Sequence, residues 1–179
     1  MPDKFKDAVE KRVLAIAKEP ENTKIVGEPT VTDMILGHEK FSATPYSDFK
    51  QTSIGYGTKA KEGEKSIDEK TARNRAVERI REDRKVVLDA MKKWKYNWTP
   101  TQVNALTSFR YNIGSIGGVT DNGKRSDADI AKSILLYDKA TKNGELVPLE
   151  GLTKRRVSEA DLFKTGIKQK EGVEIVRGK

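Results

Sequence analysis

The chain has 179 residues, 35 of them Lys or Arg and 27 Asp or Glu, for a formal charge of +8 at neutral pH. With no cysteine and a single histidine, His38, it excludes disulfide frameworks, thiolate metal sites and cysteine nucleophiles, and any serine–histidine triad would rest on that one residue. Charged and hydrophobic residues at 35% each describe a soluble globular chain with one sizeable core, whose positive charge attracts polyanions without choosing among nucleic acid, anionic lipid and envelope polymers.

Met1-Pro2-Asp3-Lys4 lacks the apolar stretch of a secretory signal, and no run of roughly 18 apolar residues exists to span a membrane. A protein made soluble in the cytoplasm is expected. From Asp3 to Lys18 the residues Phe5, Ala8, Val9, Val13, Ile16 and Ala17 fall at helical spacing and predict an amphipathic helix. Glu19 to Pro29, with two prolines and a glycine, reads as a connector, so residues 1–29 form an N-terminal extension.

A second helix is expected over Thr30 to Phe41, capped by Thr30 or Thr32 and burying Val31, Ile35 and Leu36. Ser42 to Lys65, holding the run Thr52-Ser53-Ile54-Gly55-Tyr56-Gly57-Thr58, is hairpin or small-sheet material. Ser66-Ile67-Asp68-Glu69 matches a capping box, and after it Ala72, Ala76, Val77, Ile80, Val87, Leu88 and Met91 keep helical period for more than 25 residues, predicting a helix about 38 Å long, enough to link two lobes. Thr99-Pro100-Thr101-Gln102 opens another helix, which turns Val103, Leu106, Phe109 and Ile113 inward and stops at Gly114. Ser115 to Asp127 reads as a glycine-rich loop and Ala128 to Lys142 as a helix ended by Asn143-Gly144. A last helix fits Glu150 to Lys164, followed by a basic, loosely held tail. The sum is an α+β chain, mostly helical with one small sheet.

Chemistry concentrates between Glu39 and Gly57. A carboxylate at a helix end, Glu39, a second on a following strand or turn, Asp48, and a hydroxyl where the chain doubles back would converge on one cleft. Two carboxylates in different environments are the minimum equipment for cleaving a glycosidic bond. Among 27 acidic residues, however, two that lie nine apart are most often unrelated surface charges.

The segment from Glu39 to Gly57 resembles the active-site segment of the phage-type lysozymes, glycoside hydrolase family 24. That family places a Glu after a first helix, an Asp nine residues on, and then a Thr-Ile-Gly-Tyr-Gly-like strand. Two more motifs follow in order: Gln102 to Gly114 is similar to the family's central-helix signature, and Gly151 to Phe163 to its Gly-Leu-x-x-Arg-Arg-x-x-Glu element. The resemblance covers residues 30 to 165. It implies a lysozyme-like fold in which a long helix links a small antiparallel sheet lobe to a helical lobe, with 166–179 left as a basic tail.

It further implies an endolysin-like muramidase that hydrolyses the β-1,4 bond between N-acetylmuramic acid and N-acetylglucosamine and lyses a host cell. Glu39 matches the general acid, and Asp48 the carboxylate that positions water or stabilises charge at the anomeric carbon. Ser53, or Thr52 beside it, matches the hydroxyl that helps to hold that water, and Tyr111 and Asn112 match positions lining the sugar-binding cleft. Inversion at the anomeric carbon is the expected outcome. A general acid is kept protonated at neutral pH by partial burial.

No metal, nucleotide or redox cofactor is implied. The implied partner is peptidoglycan, with non-specific attraction to anionic envelope polymers; no nucleic-acid motif is present, and a monomer is expected. The enzyme would reach the wall through a membrane lesion made by another protein, or in a particle. Lys40 stands where the family has glycine and Thr58 where it often has histidine, so an ion pair built on that histidine is missing. A lytic transglycosylase, which needs the glutamate but no second carboxylate, and a non-catalytic wall-binding or virion protein are the competing readings. Arg155 and Arg156 read as packing and ion-pair residues, and Trp94 and Trp98 as core or lobe-interface residues.

Overall fold

A computed structural model describes residues 4–18, 30–48 and 51–177. The connector from Glu19 to Pro29 lies outside the described residues. Contacts divide the chain into two compact units, Glu21–Asp83 and Met1–Pro20 with Arg84–Lys179. The α+β class expected from the sequence is observed: helix predominates, with small antiparallel sheets.

The unit Glu21–Asp83 holds α2 (Val31–His38), the strands β1 (Ser42–Ser47), β2 (Thr52–Gly55) and β3 (Thr58–Lys59), and the first part of α3 (Glu69–Lys93). Thr30 is the cap of α2, its Oγ1 accepting from the Asp33 N–H at 3.0 Å. The helix ends at His38 and not at Phe41, because Glu39 turns to extended geometry (φ −89°, ψ 113°) while its N–H still donates to the Ile35 carbonyl at 2.9 Å. Sheet order is β1-β2-β3, antiparallel throughout, with Tyr46 opposite Ser53 and Ser47 opposite Thr52.

Ile54, Tyr56, Ile67, Ala72 and Ala76 form the core of this unit. Gly55 lies at φ +66°, and a Cβ built on it would meet the Ala72 Cβ at 2.8 Å, so the strand is flush against α3 only where both residues are small. Asp68, not Ser66, caps α3: the Thr71 N–H donates to its Oδ1 at 2.9 Å. Ile67 is held to β1 by its N–H on the Ala43 carbonyl at 2.9 Å and by burial of its side chain, so the helix begins only after it.

The second unit contains α1 (Lys4–Lys18), the rest of α3, α4 (Pro100–Ile113), α5 (Gly117–Thr120), α6 (Asp127–Ile134), β4 (Lys139–Lys142), β5 (Glu145–Pro148) and α7 (Glu150–Arg177). Its core includes Ile16, Met91, Trp98, Leu106, Phe109, Ile130 and Phe163. The Thr99–Gln102 capping box forms as expected, and α4 stops at Gly114. Trp98 is buried in the core, its indole donating to Asp127 Oδ1 at 3.1 Å.

Three readings change here. The N-terminal helix is not merely appended: Val9 and Ile16 are buried, and Arg84 donates to the Ile16 carbonyl at 2.7 Å. The helix expected to reach Lys142 stops at Ile134, and Asn143-Gly144 is instead the two-residue loop of the β4–β5 hairpin, with both φ values positive (51° and 84°) as a type I′ turn requires. Finally, α7 continues past Lys164 to Arg177, because Ile167 packs on the core and Lys170 pairs with Asp127.

Candidate active site

Asp48 stands at the exit of β1. Its N–H donates to the Gln51 carbonyl at 3.0 Å and its Oδ1 accepts the Gln51 N–H at 2.9 Å, closing the turn into β2. The Ser53 hydroxyl donates to Asp48 Oδ2, and the Gln51 side-chain amide donates to the Ser53 oxygen at 3.2 Å. Strand alternation explains the choice between the two candidate hydroxyls: Ser53 is buried on the face of Asp48, while Thr52 is exposed. Asp48 is thereby oriented by two donors, one backbone and one hydroxyl.

Glu39 lies in the same unit, half-buried at the C-terminal end of α2 directly after His38. The residue that relates it to Asp48 is Tyr46, in β1, opposite Ser53 and two residues before Asp48. Burial pushes the Tyr46 phenol above its ordinary range; the charges of Glu39 and of Asp48 push the same way, and Arg79 opposes them. Both carboxylates therefore lie within electrostatic reach of one phenol.

Arg79 belongs to α3 and is anchored by donation to the Gly57 carbonyl at 2.7 Å and by an ion pair with Asp83 at 3.8 Å. Thr58, where a histidine was the family expectation, turns its hydroxyl onto the Ile54 carbonyl at 3.1 Å. Sequence reasoning missed Gln51, Tyr46 and Arg79. For Tyr46 and Gln51 the available signal was the period of two that places 46 with 48 and 51 with 53; for Arg79 there was none.

Tyr111 and Asn112 belong to the other unit, at the end of α4. Tyr111 is buried, and Asn112 is half-buried with its Oδ1 accepting from Arg156 Nη2 at 3.1 Å. Arg156 sits over the Phe109 ring at 4.9 Å and pairs with Glu159 at 3.0 Å. Arg155 pairs with the same carboxylate at 3.2 Å, and Ser108 donates to it at 2.7 Å. Both arginines are thus packing and ion-pair residues. Among the described residues no group of three or more His, Asp or Glu is placed to hold a metal ion.

The phage lysozyme family model matches residues 37–159, more than half of the chain. A search of curated protein sequences found no significant match. Among solved structures, the endolysin from Escherichia coli O157:H7 phage FAHEc1 is 25% identical with a TM-score of 0.58, covering 74% of this chain and 89% of that one. The muramidase domain of SpmX from Asticaccaulis excentricus is 26% identical with a TM-score of 0.58, covering 74% of this chain and 93% of that one. The active form of the P1 phage endolysin Lyz shares the fold at 16% identity and a TM-score of 0.61, covering 90% of this chain and 94% of that one.

Proposed function

Since this chain belongs to the phage lysozyme family, we propose that its Glu39 and Asp48 hydrolyse the β-1,4 bond between N-acetylmuramic acid and N-acetylglucosamine in peptidoglycan. The chain is a lysozyme-type glycosidase with a lysozyme-like fold, by that membership and by its likeness to endolysin and muramidase structures. Glu39 gives its proton to the glycosidic oxygen as the bond to the anomeric carbon breaks. Asp48, oriented by Ser53 and the Gln51 N–H, takes a proton from the attacking water and offsets the positive charge that develops on the sugar.

The observation that carries this reading is the hydrogen bond from Ser53 to Asp48 beside a phenol that feels both carboxylates. It favours a hydrolase over a lytic transglycosylase, which has no use for an oriented second carboxylate. Host cell lysis follows from the same activity, with the +8 charge holding the enzyme on an anionic envelope. None of the described helices is long and apolar enough to cross a membrane. The proposed route to the wall is a lesion made by another protein or delivery in a particle.

Mass analysis of muropeptides after digestion of purified sacculi tests the reaction. Reducing N-acetylmuramic acid ends are expected; anhydro-muramic ends would identify a transglycosylase, and intact glycan strands would remove the proposal. Inversion is read by NMR of the first products, where α-configured ends are expected and β-configured ends overturn it. Replacing Glu39 by Gln should lower the rate by about 100-fold or more.

A further inference from the structure

We propose that Tyr46 is a substrate-contacting residue, its phenol hydroxyl donating a hydrogen bond to an oxygen of the sugar on which Glu39 and Asp48 act. This rests on the catalytic reading above and adds a residue to it.

Three placements support it. Tyr46 is the direct cross-strand partner of Ser53, so their side chains share one face of the sheet. Asp48 shares that face as well, because Ser53 is hydrogen-bonded to it. Tyr46 is also 37% exposed, and its hydroxyl makes no hydrogen bond to another described residue, although it stands beside the hydrogen-bonded pair of Ser53 and Asp48. Tyr56 shows the contrast: its hydroxyl donates to Glu69 Oε1 at 2.7 Å, tying β2 to α3. A phenol serving only to hold the fold together would be expected to find such a partner. One that is only partly buried beside two carboxylates keeps its donor for whatever enters.

The charges around it keep that donor in place. Burial, and then Glu39 and Asp48, favour the neutral phenol, and the opposing guanidinium of Arg79 is engaged with Gly57 and Asp83. The O–H therefore persists at neutral pH, and a sugar hydroxyl, ring oxygen or acetamido carbonyl supplies the acceptor it lacks.

The test compares the wild-type chain with Tyr46→Phe, which keeps the ring and removes only the hydroxyl. Kinetics on soluble peptidoglycan strands should show kcat/KM lowered by about tenfold, the worth of one hydrogen bond, with an unchanged melting temperature. Because the phenol stays neutral, that factor should be the same at every pH between 5 and 9. In a Glu39→Gln background, where no turnover interferes, the same change should weaken binding of the strands by a similar factor. Rates and binding within twofold of the parent would overturn the contact. So would a shift of the limbs of the pH profile, since the phenol would then be acting through Glu39 or Asp48. A wild-type protein that releases no new reducing ends at all marks failure of the catalytic reading instead; an active wild type with an indifferent Tyr46→Phe marks failure of this proposal alone.

Discussion

The Ser53 hydroxyl donates to Oδ2 of Asp48 across the turn that joins β1 to β2, while the Gln51 N–H holds Oδ1. An oriented carboxylate depends on its charge first and on its donors second. Asp48→Asn keeps the shape and removes the charge, so clearing of permeabilised cells should slow by about 100-fold or more. Ser53→Ala keeps the charge but frees one oxygen, and a loss of about tenfold is expected from the looser orientation. Thr52→Ala, one residue away and exposed, should match the wild type. Equal losses in Ser53→Ala and Thr52→Ala would mean that the hydrogen bond does not matter.

Gly55 meets two constraints at once. Its φ of +66° is one that side-chain-bearing residues rarely adopt, and a Cβ would stand 2.8 Å from that of Ala72. Gly55→Ala should therefore lose about 2–4 kcal/mol, combining backbone strain with overpacking. The measurement is the midpoint of urea unfolding. Trimming Ala72 to Gly in the same protein should recover only the packing part, and full recovery would show that the backbone conformation costs nothing.

The features legible in the sequence are those whose determinants lie within a few residues of each other. The Thr99–Gln102 box is an example: cap, proline and reciprocal glutamine are all local, and the helix forms where they place it. Asn143-Gly144 is a pair that either ends a helix or turns a hairpin. What decides is the pairing of Lys139 with Pro148 and of Ala140 with Val147, which no local pattern reveals. The cap of α3 moves from Ser66 to Asp68 because Ala43, far back in the chain, holds Ile67. The length of α7 depends likewise on Asp127, which receives Lys170. At the candidate site, Glu39, Asp48 and Ser53 were named by resemblance to a family pattern. Tyr46 shares a period of two with Asp48, but its place opposite Ser53 depends on the irregular register between Ser42 and Tyr46, which no local pattern carries.

Ile16 carries the first helix into the core of the helical unit: it is buried beside residues of α3 and α4, and its carbonyl receives Arg84. Ile16→Ala should cost about 2–4 kcal/mol, the usual cost of emptying a packed aliphatic site. Leu14→Ala, on the exposed side of the same helix, should cost less than 1 kcal/mol. Thermal or urea unfolding of the two variants makes the comparison. Indifference to Ile16→Ala would make the helix an appendage after all.

Glu159 is fully buried with Arg156 at 3.0 Å and Arg155 at 3.2 Å. Burial pushes its carboxyl up, against the pull of Arg156 and then Arg155. Removing the anion would leave two guanidinium groups without their counter-charge in the core. Glu159→Gln should therefore lose about 3–5 kcal/mol at neutral pH. A urea midpoint close to that of the wild type would show that the arginines find other partners.

Glu64 gives the acid response a specific source. Arg75 donates to both of its oxygens, at 2.9 and 2.6 Å, and the Lys61 N–H adds a third bond at 2.9 Å. The Arg75 guanidinium, aided by that N–H, holds the carboxyl at about 2 against an ordinary value of 4.5. A carboxyl whose folded value lies below its unfolded one stabilises the native state at pH above the unfolded value, and the contribution is lost as pH falls toward the folded one. Between the wild type and Glu64→Gln, the gap in urea midpoint should hold from pH 7 down to about 5, narrow below 4.5 and close near 2. A gap of constant size down to pH 2.5 would show that the variant acts through packing, and that the ion pair sets none of the acid sensitivity.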